Sequence, residues 1–468
     1  MNKLKLLISA GLIIYTLFYL IQSSTIITYP YQVSYPEGLI LNQIKLLLEG
    51  KPIYKSINDY PLIVTNYPPV YLLLCAGFVK LFGLSFIWGR LITFLATIFV
   101  VFMIYKILHQ KTQKEIAIIS ALLFISSSYI YKDTPFMRVD MLGLLCSLLG
   151  FYIFLRVDLK NSTLYSIPFF ILSLYTKQTF ISAPIAIAIS LLFRLRKRAL
   201  IFILLMIISY LFIFFIINQS THGEFFRHNI LYNFNIFDLK QAFKFYIRFL
   251  QNHAILFFFS VLFILDTFRK KEFSFWSVYF IIAAINGFSV GKVGANTNYF
   301  FELIALNCIL AGLSIERLKN YIDEKKYPLF INGALLTQLI LFLHMPFYSE
   351  PAITKTDWRN FAQLSQVILN TDGKIISEDA GIIVVNKKQV LFQPFELTQL
   401  ANQKLWNQDK FVNDIKNRRF SLLVFSFNVN CSFDKERLTS EMADAIKENY
   451  YIERIIGDYF LYKPLSTP

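Results

Sequence analysis

Charge is scarce in this chain, and the little there is leans one way. Only 16% of its 468 residues are Asp, Glu, Lys or Arg, with 30 acids against 46 bases. A soluble domain covers its surface with about a quarter charged residues, so a soluble globular chain is excluded. Cysteine is nearly absent as well. Cys75, Cys146, Cys308 and Cys431 form no CxxC or Cys/His grouping, which leaves neither a disulfide framework nor a zinc site. The first three lie in apolar segments and read as small packing residues. No internal repeat is evident along the chain.

What fills the space is apolar: 56% of the residues are hydrophobic and 17% aromatic. Runs long enough to cross a bilayer recur from Leu6 to His344. The fold class expected is an α-helical polytopic membrane protein of about eleven transmembrane helices with a small C-terminal α/β extracytoplasmic domain. The net charge of +16 does not point to nucleic acid. From Thr354 to Pro468 there are fifteen Lys/Arg and fourteen Asp/Glu, and Glu350 makes that tail neutral. The excess therefore belongs to the membrane portion, where basic loops set orientation.

Met1 to Gln22 carries Lys3 and Lys5 before an apolar run and no small-x-small site before Pro30, so it reads as an uncleaved signal-anchor. Further spans are expected at 86–108, 115–131, 139–156, 163–178, 180–193, 199–217, 254–268, 274–290, 299–315 and 328–346. With this count every cytoplasmic connection is short and basic: Lys106/Lys111/Lys114, Arg156/Lys160, Arg194 to Arg198, Arg269 to Lys271, and Arg317 to Lys326. The N-terminus is then cytoplasmic and the C-terminus outside. Residues 23–85 form a long outer loop. Its apolar stretch Val70–Phe86, which follows Pro68-Pro69 and holds Lys80 and Gly83, is placed as a helix lying in the outer interface.

Residues 1–346 make the membrane domain and 347–468 the outer domain. In the latter, helices are expected at 357–370, 411–418 and 440–449, and strands at 374–376, 389–392, 421–426 and 459–462. It contains no glycine-rich phosphate loop, serine nucleophile elbow or metal motif.

The informative residues are acids and cations of the outer face, because ionisable groups near a bilayer are costly unless binding or chemistry uses them. Glu37 sits in Ser34-Tyr35-Pro36-Glu37-Gly38, just beyond the first span, where it fits either a general base or the cap of a helix over 39–49. Asp133, Arg138 and Asp140 share the next outer loop, as a site or as a loop ion pair. Lys177 and Gln178 interrupt an apolar stretch at an outer turn, where a lysine either meets an anion such as a lipid phosphate or snorkels to the interface. Lys292 lies between Gly291 and Gly294, whose backbone amides are candidates to approach a phosphate. Asn298 and Glu302 are four apart and would share a helix face.

The order of these features resembles the GT-C membrane glycosyltransferases, in particular bacterial relatives of the protein O-mannosyltransferases and of lipid A aminoarabinose transferase. The resemblance is carried by Glu37 in the first outer loop, Tyr67-Pro68-Pro69, Phe82-Gly83-Leu84-Ser85 leading to Arg90, the second-loop acids, and Thr176-Lys177-Gln178. It covers roughly residues 1–345. It implies an inverting transfer of a sugar from a polyprenyl-phosphate donor to a lipid, glycan or protein acceptor at the outer face of a bacterial-type cytoplasmic membrane. It places the catalytic acid on Glu37, although many relatives have aspartate or an acidic pair there, and a second acid on Asp133 or Asp140. It suggests Arg138, Lys177 and Lys292 for the donor phosphate, and Tyr67, Asn298 and Glu302 for the substrate pocket. No cofactor is called for. Some relatives use a divalent metal, but the chain lacks the paired-acid motif for one.

Two other classes compete. A lipid-linked sugar or polysaccharide transporter should show paired halves with broken helices and acids at mid-membrane depth, whereas here the acids gather at one face. A receptor with a ligand-binding outer domain would leave the long first loop and its acids without a purpose.

Overall fold

The computed structural model describes residues 2–156, 159–343, 353–431 and 433–466. The expected domain boundary at 346/347 lies outside them. Among the described residues there are twenty α-helices and four strands.

The first span is α1 (Asn2–Thr28), and the outer loop folds into α2 (Tyr35–Leu48) and α3 (Val70–Phe82). Next come α4 (Phe86–Leu108), α5 (Lys114–Ser126), the short α6 (Ser128–Asp133), α7 (Asp140–Arg156), α8 (Leu159–Leu174), α9 (Ser182–Arg194) and α10 (Arg196–Ser220). A single turn, α11 (Glu224–Phe226), runs into a wide turn over Arg227–Leu231. The bundle closes with α12 (Leu239–Arg269), α13 (Phe275–Gly287), α14 (Phe301–Leu318) and α15 (Tyr327–Phe342). Each of the eleven expected spans overlaps one of these helices, the last of them as far as the described residues reach.

Two departures have local causes. The span expected at 115–131 breaks at Ser127, whose backbone is extended and whose hydroxyl meets His253 Nε2 at 2.8 Å. His253 itself leaves helical geometry (φ −118°), so α12 kinks and its first half, 239–252, extends beyond the span expected at 254–268. The helix α3 presents Leu73, Phe78, Leu81 and Phe82 outward and packs Tyr71, Leu72 and Cys75 inward, the one-sided pattern of an interfacial helix.

The basic connections gather at one end of the bundle and are tied there by ion pairs. Lys5 pairs with Glu115 at 3.0 Å, Lys270 with Asp266 at 3.0 Å, and Arg317 with Asp266 at 2.8 Å. The opposite end carries α2, α3 and the C-terminal segment.

That segment contains α16 (Lys355–Asn370), β1 (Ile375–Ser377), α17 (Ala380–Val385), α18 (Pro394–Asn402), α19 (Asp409–Lys416), β2 (Leu422–Phe425), α20 (Ser440–Asn449), β3 (Tyr450–Ile456) and β4 (Tyr459–Pro464). The sheet order is β1-β2-β4-β3, parallel between β1 and β2 and antiparallel elsewhere. The strand expected at 389–392 does not join this sheet. Its backbone pairs with the outer loop instead: Leu62 N–H donates to Leu391 O (2.8 Å) and Gln393 N–H to Leu62 O (3.0 Å). β3 carries no clear strand signal in the sequence because Glu453 and Arg454 and a bulge between Ile452 and Arg454 spoil its alternation.

The C-terminal domain docks on the bundle where α2 crosses α17. A Cβ on Gly38 would stand 2.1 Å from the backbone nitrogen of Gly381, and Gly381 N–H donates to Gln32 Oε1 at 2.8 Å. The glycine after Glu37 is therefore required for the approach of two backbones. We expect Gly38→Val to destabilise this docking by about 1–3 kcal/mol. A lower onset of thermal unfolding and faster proteolysis of the C-terminal domain would register it; unchanged proteolysis would refute the close crossing.

Candidate active site

The Ser34-Tyr35-Pro36-Glu37 turn starts α2. Glu37, in the helix's first turn, reaches back so that its Oε2 accepts from the backbone N–H of Val33 (2.9 Å) and Ser34 (3.2 Å). Arg90, one turn into α4, grips the same carboxylate with two hydrogen bonds of 2.8 Å, and Met137 N–H adds a third donor at 2.8 Å. The remaining guanidinium donors go to the carbonyls of Ile26 (2.7 Å), Tyr29 (2.5 Å) and Tyr31 (2.7 Å). Both side chains are 0% exposed. Burial pushes the Glu37 carboxyl up, but Arg90 and the backbone amides outweigh it and hold it below the usual value. The sequence expectation of a proton-accepting Glu37 therefore meets a carboxylate whose two oxygens are filled by five donors. It pins α1, α2, α4 and the second outer loop together.

Beside this pin, between the bundle and the C-terminal domain, lies a cavity of about 610 Å³. Its walls come from the start of α2, the loops at 64–67, 177–179, 229–237 and 289–299, and the first turn of α18. Arg138, Lys177, Lys292, Tyr67 and Asn298 all line it; Glu37, Asp133, Asp140 and Glu302 do not. The lining also holds nine Asn/Gln side chains, three cations and one carboxylate, that of Glu396. Carboxamides both donate and accept, so this surface suits a ligand dense in hydroxyls, with tyrosine and phenylalanine rings for its apolar faces.

The second-loop acids stand behind two of the cations. Asp133 Oδ1 meets Arg138 Nη1 at 3.3 Å, and Thr297 donates to Oδ2 at 2.5 Å; Arg138 Nη2 also donates to Ser34 Oγ at 2.8 Å. Burial raises the Asp133 carboxyl, and Arg138 and Thr297 only partly oppose it. Asp140 Oδ1 accepts from Lys177 Nζ (2.5 Å) and Asn298 Nδ2 (2.9 Å), while the ammonium lies 4.5 Å from the Tyr299 ring centre. Lys292 is held differently. It donates to the neutral Asn233 Oδ1 at 2.6 Å and has no carboxylate in ion-pair contact among the described residues. Burial and then the charge of Lys177 lower it to about 8, with Glu396 pulling the other way.

One expectation needs correction. Asn298 and Glu302 do not present one face: Thr297–Phe300 is a 3₁₀ turn ahead of α14. Asn298 turns to Asp140, while Glu302 accepts from Ser182 Oγ (2.7 Å) and Tyr279 OH (2.8 Å) inside the bundle. Around Lys292, three backbone amides are already paired. Those of Lys292, Val293 and Ala295 donate to Ser289, Ile236 and Lys292 carbonyls. Gly294 serves close packing instead: its φ is +84°, and a Cβ there would stand 2.6 Å from the Phe395 ring.

The sequence alone does not mark Glu396 or the carboxamides. In Gln393-Pro394-Phe395-Glu396 an acid three residues past a helix start looks like an ordinary cap. The same pattern describes Glu37, and nothing local separates the two.

The chain aligns along its whole length with a crystal structure of ArnT from Cupriavidus metallidurans bound to undecaprenyl phosphate. The match covers 97% of this chain and 98% of that one, with a TM-score of 0.65 at 13% identity. The fold is that of the GT-C membrane glycosyltransferases. The archaeal oligosaccharyltransferase AglB from Archaeoglobus fulgidus, in complex with an inhibitory peptide and a dolichol-phosphate, also matches. There the cover is 99% of this chain and 74% of that chain, with a TM-score of 0.57 at 12% identity. Residues 66–222 match the family model described as dolichyl-phosphate-mannose-protein mannosyltransferase. No curated protein sequence matches the chain. The segment matched by the family model supplies Tyr67, Arg138 and Lys177, whereas Lys292, Asn298 and Glu396 lie beyond it.

Proposed function

We propose that this chain is a glycosyltransferase that moves a sugar from a polyprenyl-phosphate-linked donor to an acceptor hydroxyl at the outer face of the cytoplasmic membrane. Transfer inverts the anomeric carbon, and the lipid phosphate leaves. The observation that carries the reading is the cavity lining, with three cations set among nine carboxamides. A leaving phosphate needs fixed positive charge where negative charge develops, and a sugar needs paired donors and acceptors. The relatives ArnT and AglB have been seen with undecaprenyl phosphate and a dolichol-phosphate, ligands of the class this lining suits.

In this reading Lys177, Arg138 and Lys292 take the phosphate, and Tyr67 and Asn298 contact the sugar. Asp133 and Asp140 hold Arg138 and Lys177 in place. Glu37 moves from proton acceptor to structural pin, and Glu302 leaves the site. The basic loops put the N-terminus in the cytoplasm and the C-terminal domain outside. The acceptor is a lipid, a glycan or a protein.

Mass spectrometry of envelope glycans from cells with and without the gene tests the transfer. One sugar should disappear from a glycan, lipid or protein, and identical profiles would overturn the reading. We also read the reaction as metal-independent, because two of the site's acids already serve Arg138 and Lys177. Transfer in isolated membranes should then be unchanged by EDTA; a loss restored by a divalent cation would refute this.

A further inference from the structure

We propose that Glu396, carried by the C-terminal domain, is the proton acceptor for the attacking hydroxyl. This rests on the transferase reading above and assigns the step that reading leaves without a residue. Glu37 is filled by five donors, and Asp133 and Asp140 are each committed to a cation and a second donor. Glu396 supplies the only carboxylate among the residues that line the cavity.

Its oxygens are unequal. Oε1 accepts from Asn66 Nδ2 at 2.9 Å, whereas Oε2 is shielded from solvent. Burial raises this carboxyl above its usual range against the opposing pull of its own backbone N–H, Arg437, Gln393 and Asn66, which suits a group that must take up a proton. The charged and titratable groups facing it are Lys292 from the cavity wall, Tyr35 from α2, and Arg437, whose Nε also meets Glu378 at 3.4 Å.

The bundle itself positions this residue. Phe395 N–H meets Tyr35 OH at 3.3 Å, Gly294 leaves room for the Phe395 ring, and Arg437 stacks 3.8 Å from the Tyr35 ring centre. The start of α18 is thereby fixed from α2, from the Lys292 loop and from its own domain.

The step balances without a co-reactant. The acceptor O–H gives its proton to Glu396 as its oxygen bonds to the anomeric carbon. The bond from that carbon to the phosphate oxygen breaks, and its electron pair leaves on the lipid phosphate beside Lys292, Lys177 and Arg138. Glu396 then returns the proton to water.

The test compares wild type, Glu396→Gln and Glu396→Asp in envelope membranes holding the host's polyprenyl-phosphate sugars, with binding of undecaprenyl phosphate measured separately. Glu396→Gln should cut transfer about 10²–10⁴-fold while binding undecaprenyl phosphate within about twofold of wild type. Glu396→Asp should retain part of the activity. In wild type, kcat/KM should fall at low pH as the carboxyl protonates, and this limb should vanish from the residual activity of Glu396→Gln. Transfer within about threefold of wild type, an unchanged acid limb, or a parallel loss of undecaprenyl phosphate binding would each overturn the assignment. A wild-type protein that neither binds undecaprenyl phosphate nor transfers sugar would overturn the transferase reading itself.

Discussion

Glu37→Gln should unfold this protein rather than merely silence it. The substitution leaves Arg90 fully buried with its charge uncompensated, and breaking one side of a buried pair costs about 3–5 kcal/mol. Arg90→Met should do comparable harm, because it strands the Glu37 carboxylate together with three carbonyls at the end of α1 and the following turn. The two residues act as a unit, so the double variant should be less damaging than the sum of the single ones. Thermal unfolding of the four proteins in detergent closes the cycle. The pin also predicts acid sensitivity. A carboxyl held below its ordinary value contributes fully above the unfolded value of about 4.3. That contribution is lost as pH falls through the lower folded value. A Glu37→Gln protein that keeps wild-type stability and yet transfers nothing would return the role of base to this residue.

The sequence made the helices easy to read because apolar length and loop charge are additive, local signals. α4 spans 86–108 as expected, and the basic loops do gather at one end. The cations of the site were legible for a related reason. Lys177 and Lys292 interrupt apolar surroundings, and a charge in such a place has to be used. The acids were harder, because their roles depend on what faces them. Glu37 and Glu396 both sit in the first turn of a helix with a proline at its first or second position, and only the tertiary partners differ. Arg90 reaches Glu37 from 53 positions away, while Glu396 meets the cavity only once its domain folds over the bundle. The carboxamide lining was unreadable for the same reason: Gln43, Asn66, Gln178, Asn233 and Gln393 are scattered and carry no charge to betray them.

Lys292 offers the sharpest measurement of phosphate binding, because no carboxylate in contact with it competes for its charge. Lys292→Met should weaken undecaprenyl phosphate binding about 10–100-fold, as removal of a charge-assisted hydrogen bond worth about 1.5–3 kcal/mol implies. Lys177→Met is less clean, since it also strands Asp140. The pH dependence identifies the group. Burial first, and the nearby Lys177 second, lower Lys292 to about 8, so it carries its charge below that pH and loses it above. A phosphate monoester is already a dianion there, its second ionisation lying near pH 6. Over about pH 7 to 9 the lysine is therefore the partner in this contact whose charge changes. Binding should be strongest below pH 8 and weaken as pH rises through it, and Lys292→Arg, which stays charged, should flatten the curve. If the arginine variant weakens with pH as wild type does, the titrating group lies elsewhere and Lys292 does not hold the phosphate.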